Sequence, residues 1–480
     1  MARKKSTSIA RKQSTPNDQT HKRLGKQLVL RQNGDKQDLP TDRLQTSPDL
    51  FTNGKTTTRM ASALPIWEAG SILTQRKDLP WVKDPNGKLC YARDVENGKG
   101  SVYFWLTEDL EHESPTTLAG AAALAVIDAF DIRAACMHLI YAAHAAQLDR
   151  PWEQEFVIDD RQIEEYLGLK RRTDKNRQQK LALIKEIAQQ PCKITTFISW
   201  PAQGKVKGFT VEEGRLWHLL GIRYHYQQDL FGNKELVGIT FIIQPGLWAR
   251  YFLNQEERRD LGAYCQYGTL SKALLEHVMN VWQHRAGAAR LMVWLLFKTK
   301  VDVKHPVTVQ TLMEIAYGTQ KIQAAMQDSQ LRKKLANTWD EDLLALHDRG
   351  WHIYFHPGSY PQELQPPGFG RENHYRPRGF FKKLLSAHLW IDSPEDFNNR
   401  AITSGNTYAG TQQAVLQAEA HYTLSGSEIR TLRTEKGWSQ RKLSSLTGLS
   451  QGLISLIENN ERPITRDNQM LLQQIFELTH

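Results

Sequence analysis

Cysteine is scarce in this 480-residue chain: Cys90, Cys136, Cys192 and Cys265 stand far apart. No Cys-x-x-Cys pair and no Cys/His zinc spacing joins them, which excludes a disulfide framework and points to a reduced, cytoplasmic protein. A Gly-x-x-x-x-Gly-Lys-Ser/Thr loop is missing too, so an ATP-driven helicase or loader is disfavoured. Long apolar runs are also wanting. The Ala-rich stretch 118–148 is interrupted by Asp128, Asp131, Arg133 and His138, too often for a span of roughly 20 apolar residues, and reads as a buried helix with no membrane partner. The opening Met-Ala-Arg-Lys-Lys lacks the apolar core of a secretory signal. Acidic residues are outnumbered, 52 against 62 Lys and Arg, for a formal charge of +10, which favours polyanionic partners.

The length calls for several domains. Residues 3–31 carry nine Lys or Arg against one Asp and almost no aromatic side chains, so a disordered basic arm is expected to about residue 60, either touching phosphates or keeping the chain soluble. Residues 61–114 show no assignable pattern. Pro361, Pro366, Pro367, Gly368, Gly370 and Pro377 exclude a regular helix there. A linker is expected over 391–421, before a last domain at 422–480.

One local pattern occurs twice. Phe156-Val-Ile-Asp159 precedes Asp160–Gly168, a short strand, a polar cap and an amphipathic helix stopped by Gly; in Val307–Gly318, Thr308 takes the place of Asp159, and Leu312 and Ile315 those of Ile163 and Tyr166. A helix precedes each copy, the second with Leu270, Leu274, Val278 and Val281 at helical spacing. Another helix follows each, and then strand-like residues, Lys193–Trp200 and Trp351–His356, with Leu236–Ile243 as a further strand after the turn Phe231-Gly-Asn-Lys. Helix, helix, helix, hairpin is the order of a winged helix, so two winged-helix-like domains are expected at about 115–255 and 262–390. The alternative is that a capped amphipathic helix is simply common. The tryptophans Trp200, Trp217, Trp248, Trp282, Trp294 and Trp351 fall on apolar stretches and read as core.

The most informative run is Ile429–Leu478. Gly437 ends one helix and Ser439 caps the next, to which Leu443 and Leu446 give an apolar face. Gly448 falls at a sharp turn, Leu449 anchors it, and Ser450 caps a third helix whose Ile454 and Ile457 face inward, leaving Gln451, Leu453 and Ser455 toward a groove. Together with Gln440, Glu458 and Asn459, these residues resemble the Cro/C1-type (XRE family) helix-turn-helix, an all-α five-helix DNA-binding domain. By that resemblance the third helix enters the major groove, Gln451 reads a base, Gln440 binds the DNA backbone, and Ser450, Gly452, Leu453, Ser455, Asn459, Arg441 and Lys442 line the interface. Gln suits adenine, so an A·T pair is expected under Gln451. Gly452 and Leu456 depart from the polar residues often found at those positions, and Ser444 replaces the usual Ala.

A second candidate interface is the basic run Lys170, Arg171, Arg172, Lys175, Arg177 and Lys180, faced by one Asp and placed where a winged helix would start its recognition helix; a solvated basic helix start is the competing account. Lys321, Arg332, Lys333 and Lys334 give the second unit a weaker basic signal. Paired winged helices on a basic chain resemble plasmid replication initiators, though an added Cro/C1-type domain departs from that layout. His352 and His356 alternate on a strand without a third ligand, and His374-Tyr375-Arg376 with Arg371 and Arg378 sits in a Pro/Gly-rich loop, so neither a metal site nor strand-transfer chemistry is expected. The sequence therefore predicts a mainly α protein with minor β and no cofactor, not an enzyme. Its expected role is to bind double-stranded DNA sequence-specifically, as an initiator or as a Cro/C1-type repressor, with a homodimer and host replication or transcription proteins as partners. A DNA-processing enzyme tethered by its helix-turn-helix is the remaining alternative.

Overall fold

A computed structural model describes residues 44–95, 98–112, 115–202, 207–228, 233–254, 267–301, 305–369, 376–394, 426–447 and 449–459, with Asn468, Leu472, Ile475 and Phe476. Most of the expected basic arm and the 395–421 part of the linker lie outside these residues. The arm's expected end is too late. Leu50 and Phe51 are buried, and the backbones of Ser47 and Leu50 bond Val157 and the Tyr166 hydroxyl, because apolar side chains from residue 50 onward have a core to enter.

Along the chain come β1 (Met60–Ala61), α1 (Leu64–Gln75), β2 (Val82–Lys83), β3 (Leu89–Val95), β4 (Gly100–Leu106), α2 (Gly120–Ala129) and α3 (Ala134–Ala145). Next are β5 (Phe156–Asp159), α4 (Asp160–Tyr166), α5 (Arg177–Gln189), β6 (Ile194–Trp200), β7 (Phe209–Arg215), β8 (Trp217–Gln228), β9 (Lys234–Pro245), α6 (Trp248–Phe252) and β10 (Tyr267–Gly268). Then follow α7 (Lys272–Val281), α8 (Ala286–Val301), β11 (Val307–Thr308), α9 (Val309–Tyr317), α10 (Thr319–Gln327), α11 (Ser329–His347), β12 (His352–Phe355), α12 (Phe380–Ser386) and β13 (His388–Asp392). The C-terminal part holds α13 (Gly426–Glu435), α14 (Gln440–Thr447) and α15 (Gln451–Glu458). Helix predominates. None of these helices is long and apolar enough to cross a membrane among the described residues.

The repeated pattern has a physical counterpart in each copy. Asp159 caps α4 by accepting from the amides of Arg161 and Gln162, and Thr308 caps α9 by accepting from that of Thr311. Ile163, Tyr166, Leu312 and Ile315 are all buried, and Gly168 and Gly318 close their helices at φ of 66° and 86°, where a β-carbon would strain the backbone. The strand before each capped helix pairs antiparallel with the last strand of its unit, giving the orders β5-β9-β8 and β11-β13-β12.

Two features depart from expectation. Ile194–Trp200 does not form the first unit's last hairpin; it lies in a five-stranded sheet of order β2-β3-β4-β6-β7, to which the unassigned segment 61–114 supplies three strands. The partner of β9 is instead β8, whose polar and aromatic mixture gives no clean alternation because two register shifts interrupt its pairing. A single apolar core runs from Leu50 to Ile391 through both units and this sheet. Of the six tryptophans expected inside, five are buried, while Trp282 is partly covered under the Arg133 guanidinium, 4.2 Å away.

Candidate nucleic-acid interface

The C-terminal helices close on a separate core of Ile429, Leu443, Ile454, Ile457, Leu472 and Phe476, with Trp438 stacked on Phe476. Gly437 turns the chain after α13 at φ 67°, and the amide of Trp438 returns to the carbonyl of Arg433. Ser439 then caps α14 by accepting from the Lys442 amide at 3.1 Å. Gly448 lies outside the described residues. Leu449 is tied back to α14, because the Ser444 hydroxyl donates to the Leu449 carbonyl at 2.6 Å and Thr447 Oγ1 accepts from the Leu449 amide. The unusual Ser444 thus has a bond that Ala could not make. Leu446 departs from its expected inward position: it is exposed, and Thr447 is buried in its place.

Ser450 caps α15 by accepting from the Leu453 amide at 3.2 Å. Helical periodicity puts Leu453 on the side of Ile454 and Ile457, so it packs partly on the core instead of facing outward as expected. The opposite side carries Gly452, Ser455, Leu456 and Asn459, flanked by exposed Gln451. Arg441 and Lys442 are exposed on the first turn of α14. These positions form one outward surface across the second and third helices.

Behind that surface sits a buried ion pair whose combination the sequence did not reveal. Arg433 donates to both carboxylate oxygens of Glu458, at 2.6 and 2.9 Å, and to the Trp438 carbonyl. Gln440 donates from Nε2 to Glu458 at 2.9 Å. Burial raises the Glu458 pKa, but the bonds from Arg433 and Gln440 outweigh it and hold the group below its ordinary value. Gln440 is therefore oriented from inside. Its second amide hydrogen remains to donate to a phosphate oxygen.

In the central region the basic run is largely committed within the protein. Lys170 pairs with Glu165, Arg171 lies 3.6 Å from Glu276, and Arg172 forks onto Asp174. Bonds from Lys170 and Lys272 hold the Glu165 pKa down at about 2. Exposed pairs of this kind are weak, so Lys170, Arg171 and Arg172 stay accessible, as does half-buried Lys175. Arg177 differs from its expected role. Its guanidinium bridges Asp160 and Glu164 and donates to the Val237 carbonyl at 3.0 Å, while Asp160 also accepts from the Ile239 amide. Two carboxylates out of water demand that cation, which makes it an internal clamp. Arg376 is likewise turned inward, onto Asp340 and the Ala336 carbonyl; Arg371, His374 and Tyr375 lie outside the described residues.

Residues 429–478 match a family model described as helix-turn-helix, which together with this geometry makes the segment a DNA-binding domain of the Cro/C1 type. No curated protein matches the chain. Among solved structures it is similar to the selenomethionine derivative of domains 2 and 3 of RctB, at 8% identity and a TM-score of 0.33, covering 68% of this chain and 98% of that one.

Proposed function

We propose that this chain is a sequence-specific DNA-binding protein without catalytic activity. In this reading its terminal domain reads base edges through α15, and its two central units are winged helices that hold further DNA, as an initiator of plasmid-type replication would. The observation that carries the reading is the capped helix-turn-helix at 439–459, with its outward surface of Gln451, Ser455, Leu456 and Asn459. The winged-helix assignment is supported by the capped helix that opens each unit and by equivalent strand pairing, the strand before that helix pairing with the unit's last strand in both. A homodimer would place two terminal domains on half-sites about 34 Å apart.

Selection of bound duplexes from a random pool, followed by titration of Gln451→Ala, tests the reading. Specific affinity should fall by roughly 1–3 kcal/mol while binding to random duplex stays nearly constant; equal losses on both would refute base reading by Gln451. A transcriptional repressor of Cro/C1 type is the second reading, favoured by a family match confined to the terminal domain. Support of replication of a marker circle separates the initiator from it. DNA cleavage that vanished with Tyr375→Phe would overturn the non-catalytic assignment.

A further inference from the structure

The β8–β9 hairpin is longer than the sheet it belongs to. β5 pairs with β9 only from Thr240 to Ile243, whereas β8 continues alongside β9 to Gln228 and Lys234. The outer half, Tyr224–Gln228 with Lys234–Ile239, is therefore a two-stranded ribbon without a third strand among the described residues. Such ribbons are marginal alone, yet this one is fixed at its root. Asp160 accepts from the Ile239 amide, and Arg177, the first residue of α5, holds both Asp160 and the Val237 carbonyl. Inward-facing His225 bonds Thr240 Oγ1 at 2.8 Å.

The surface of this ribbon is unusual for a solvent-facing strand. Tyr224 and Tyr226 are 39% and 56% exposed, Arg223 and Lys234 are exposed beside them, and Lys185 of α5 reaches over the Tyr224 ring at 5.2 Å. Lys180 is also on α5. Glu186 of α5 and Glu235 of β9 are the exposed carboxylates on these three elements, outnumbered by the cations. A two-stranded ribbon has the width that a DNA groove admits, and cations with tyrosine hydroxyls are the donors that phosphates accept.

We infer that the projecting β8–β9 ribbon, through Tyr224, Tyr226 and Lys234 with Arg223 at its root and Lys185 of α5 beside it, is a double-stranded DNA contact of the first central unit. The inference rests on the DNA-binding reading above and deepens it. It is tested with the full chain on a mixed-sequence duplex titrated over a range of salt. Arg223→Gln with Lys234→Gln should reduce the salt-dependence slope by about 0.9 for each cation removed. Lys234→Gln alone, at the exposed end of β9, carries the same expectation should the Arg223 variant fail to fold.

An unchanged slope in folded ribbon variants overturns the inference. So does a change of oligomeric state in sedimentation with DNA binding intact, which would make the ribbon a contact between copies of the chain. Failure of the parent reading looks different: the unaltered chain would then select no sequence from the random pool.

Discussion

Replacing Glu458 by Gln tests whether the buried pair organises the terminal domain. The Glu458 side chain is 1% exposed and that of Arg433 10%, so neutralising the acid leaves a guanidinium facing an amide in a place that water does not reach. Breaking a buried pair from one side typically costs about 3–5 kcal/mol. A unit of some sixty residues has only about 3–9 kcal/mol of stability to lose, so a large part of it should open. Hydrogen exchange of peptides within 426–459, followed by mass spectrometry of the full chain, reads this locally. The matched control is Arg433→Met with Glu458→Leu, which removes both charges and should sit within roughly 1–2 kcal/mol of the unaltered chain. A loss below about 1 kcal/mol in Glu458→Gln would refute the argument. The pH dependence has a definite sign. Because the folded-state pKa lies below the ordinary value of 4.5, this contribution is complete above about pH 4.5 and disappears as pH falls through the lower folded value.

Asp159→Ala should cost about 1–2 kcal/mol by removing the cap of α4, with a similar loss for Thr308→Ala at α9, both read from urea midpoints. His138 is buried, accepts from Trp217 Nε1 at Nδ1 and bonds the Ile66 carbonyl through Nε2, and burial lowers its pKa to about 4; a proton on Nδ1 would face the indole N–H. Stability should therefore be complete above about pH 6.5 and fall toward pH 4, with a slope up to about 1.4 kcal/mol per pH unit from this residue that His138→Gln removes. Gly452 has open space around the position of a β-carbon and ordinary helical backbone, so Gly452→Ala should stabilise α15 by up to about 1 kcal/mol in the same exchange experiment.

Legibility in the sequence followed locality. The three terminal helices, their serine caps and the turn at Gly437 are set by residues within a few positions of one another, and all could be read. The two central capped helices were equally local. What failed depended on distant partners. Strand β6 is visible in the sequence as a strand, but its neighbours β4 and β7 are not, so local pattern alone points it to the wrong hairpin. Spacing alone turns Leu453 outward and Leu446 inward, and the position of the core reverses both. Arg177 looked like every other cation in its run until two carboxylates from α4 and a carbonyl from β9 were found around it.

That last distinction can be measured, and it bears on how any charged run is interpreted. Lys170 and Arg171 have 56% and 83% of their side chains exposed in their pairs with Glu165 and Glu276, where water screens the attraction and either partner can be lost cheaply. Each substitution to Ala should cost less than about 1 kcal/mol. Arg177 faces Asp160, whose side chain is wholly buried, and Glu164, which is 10% exposed. Arg177→Ala strands two acids near each other and also unties α5 from the root of the β8–β9 ribbon, so a loss of about 3–5 kcal/mol is expected in denaturant unfolding. Equal small losses at all three positions would mean that Asp160 and Glu164 reach water, and that Arg177 belongs with the surface cations after all.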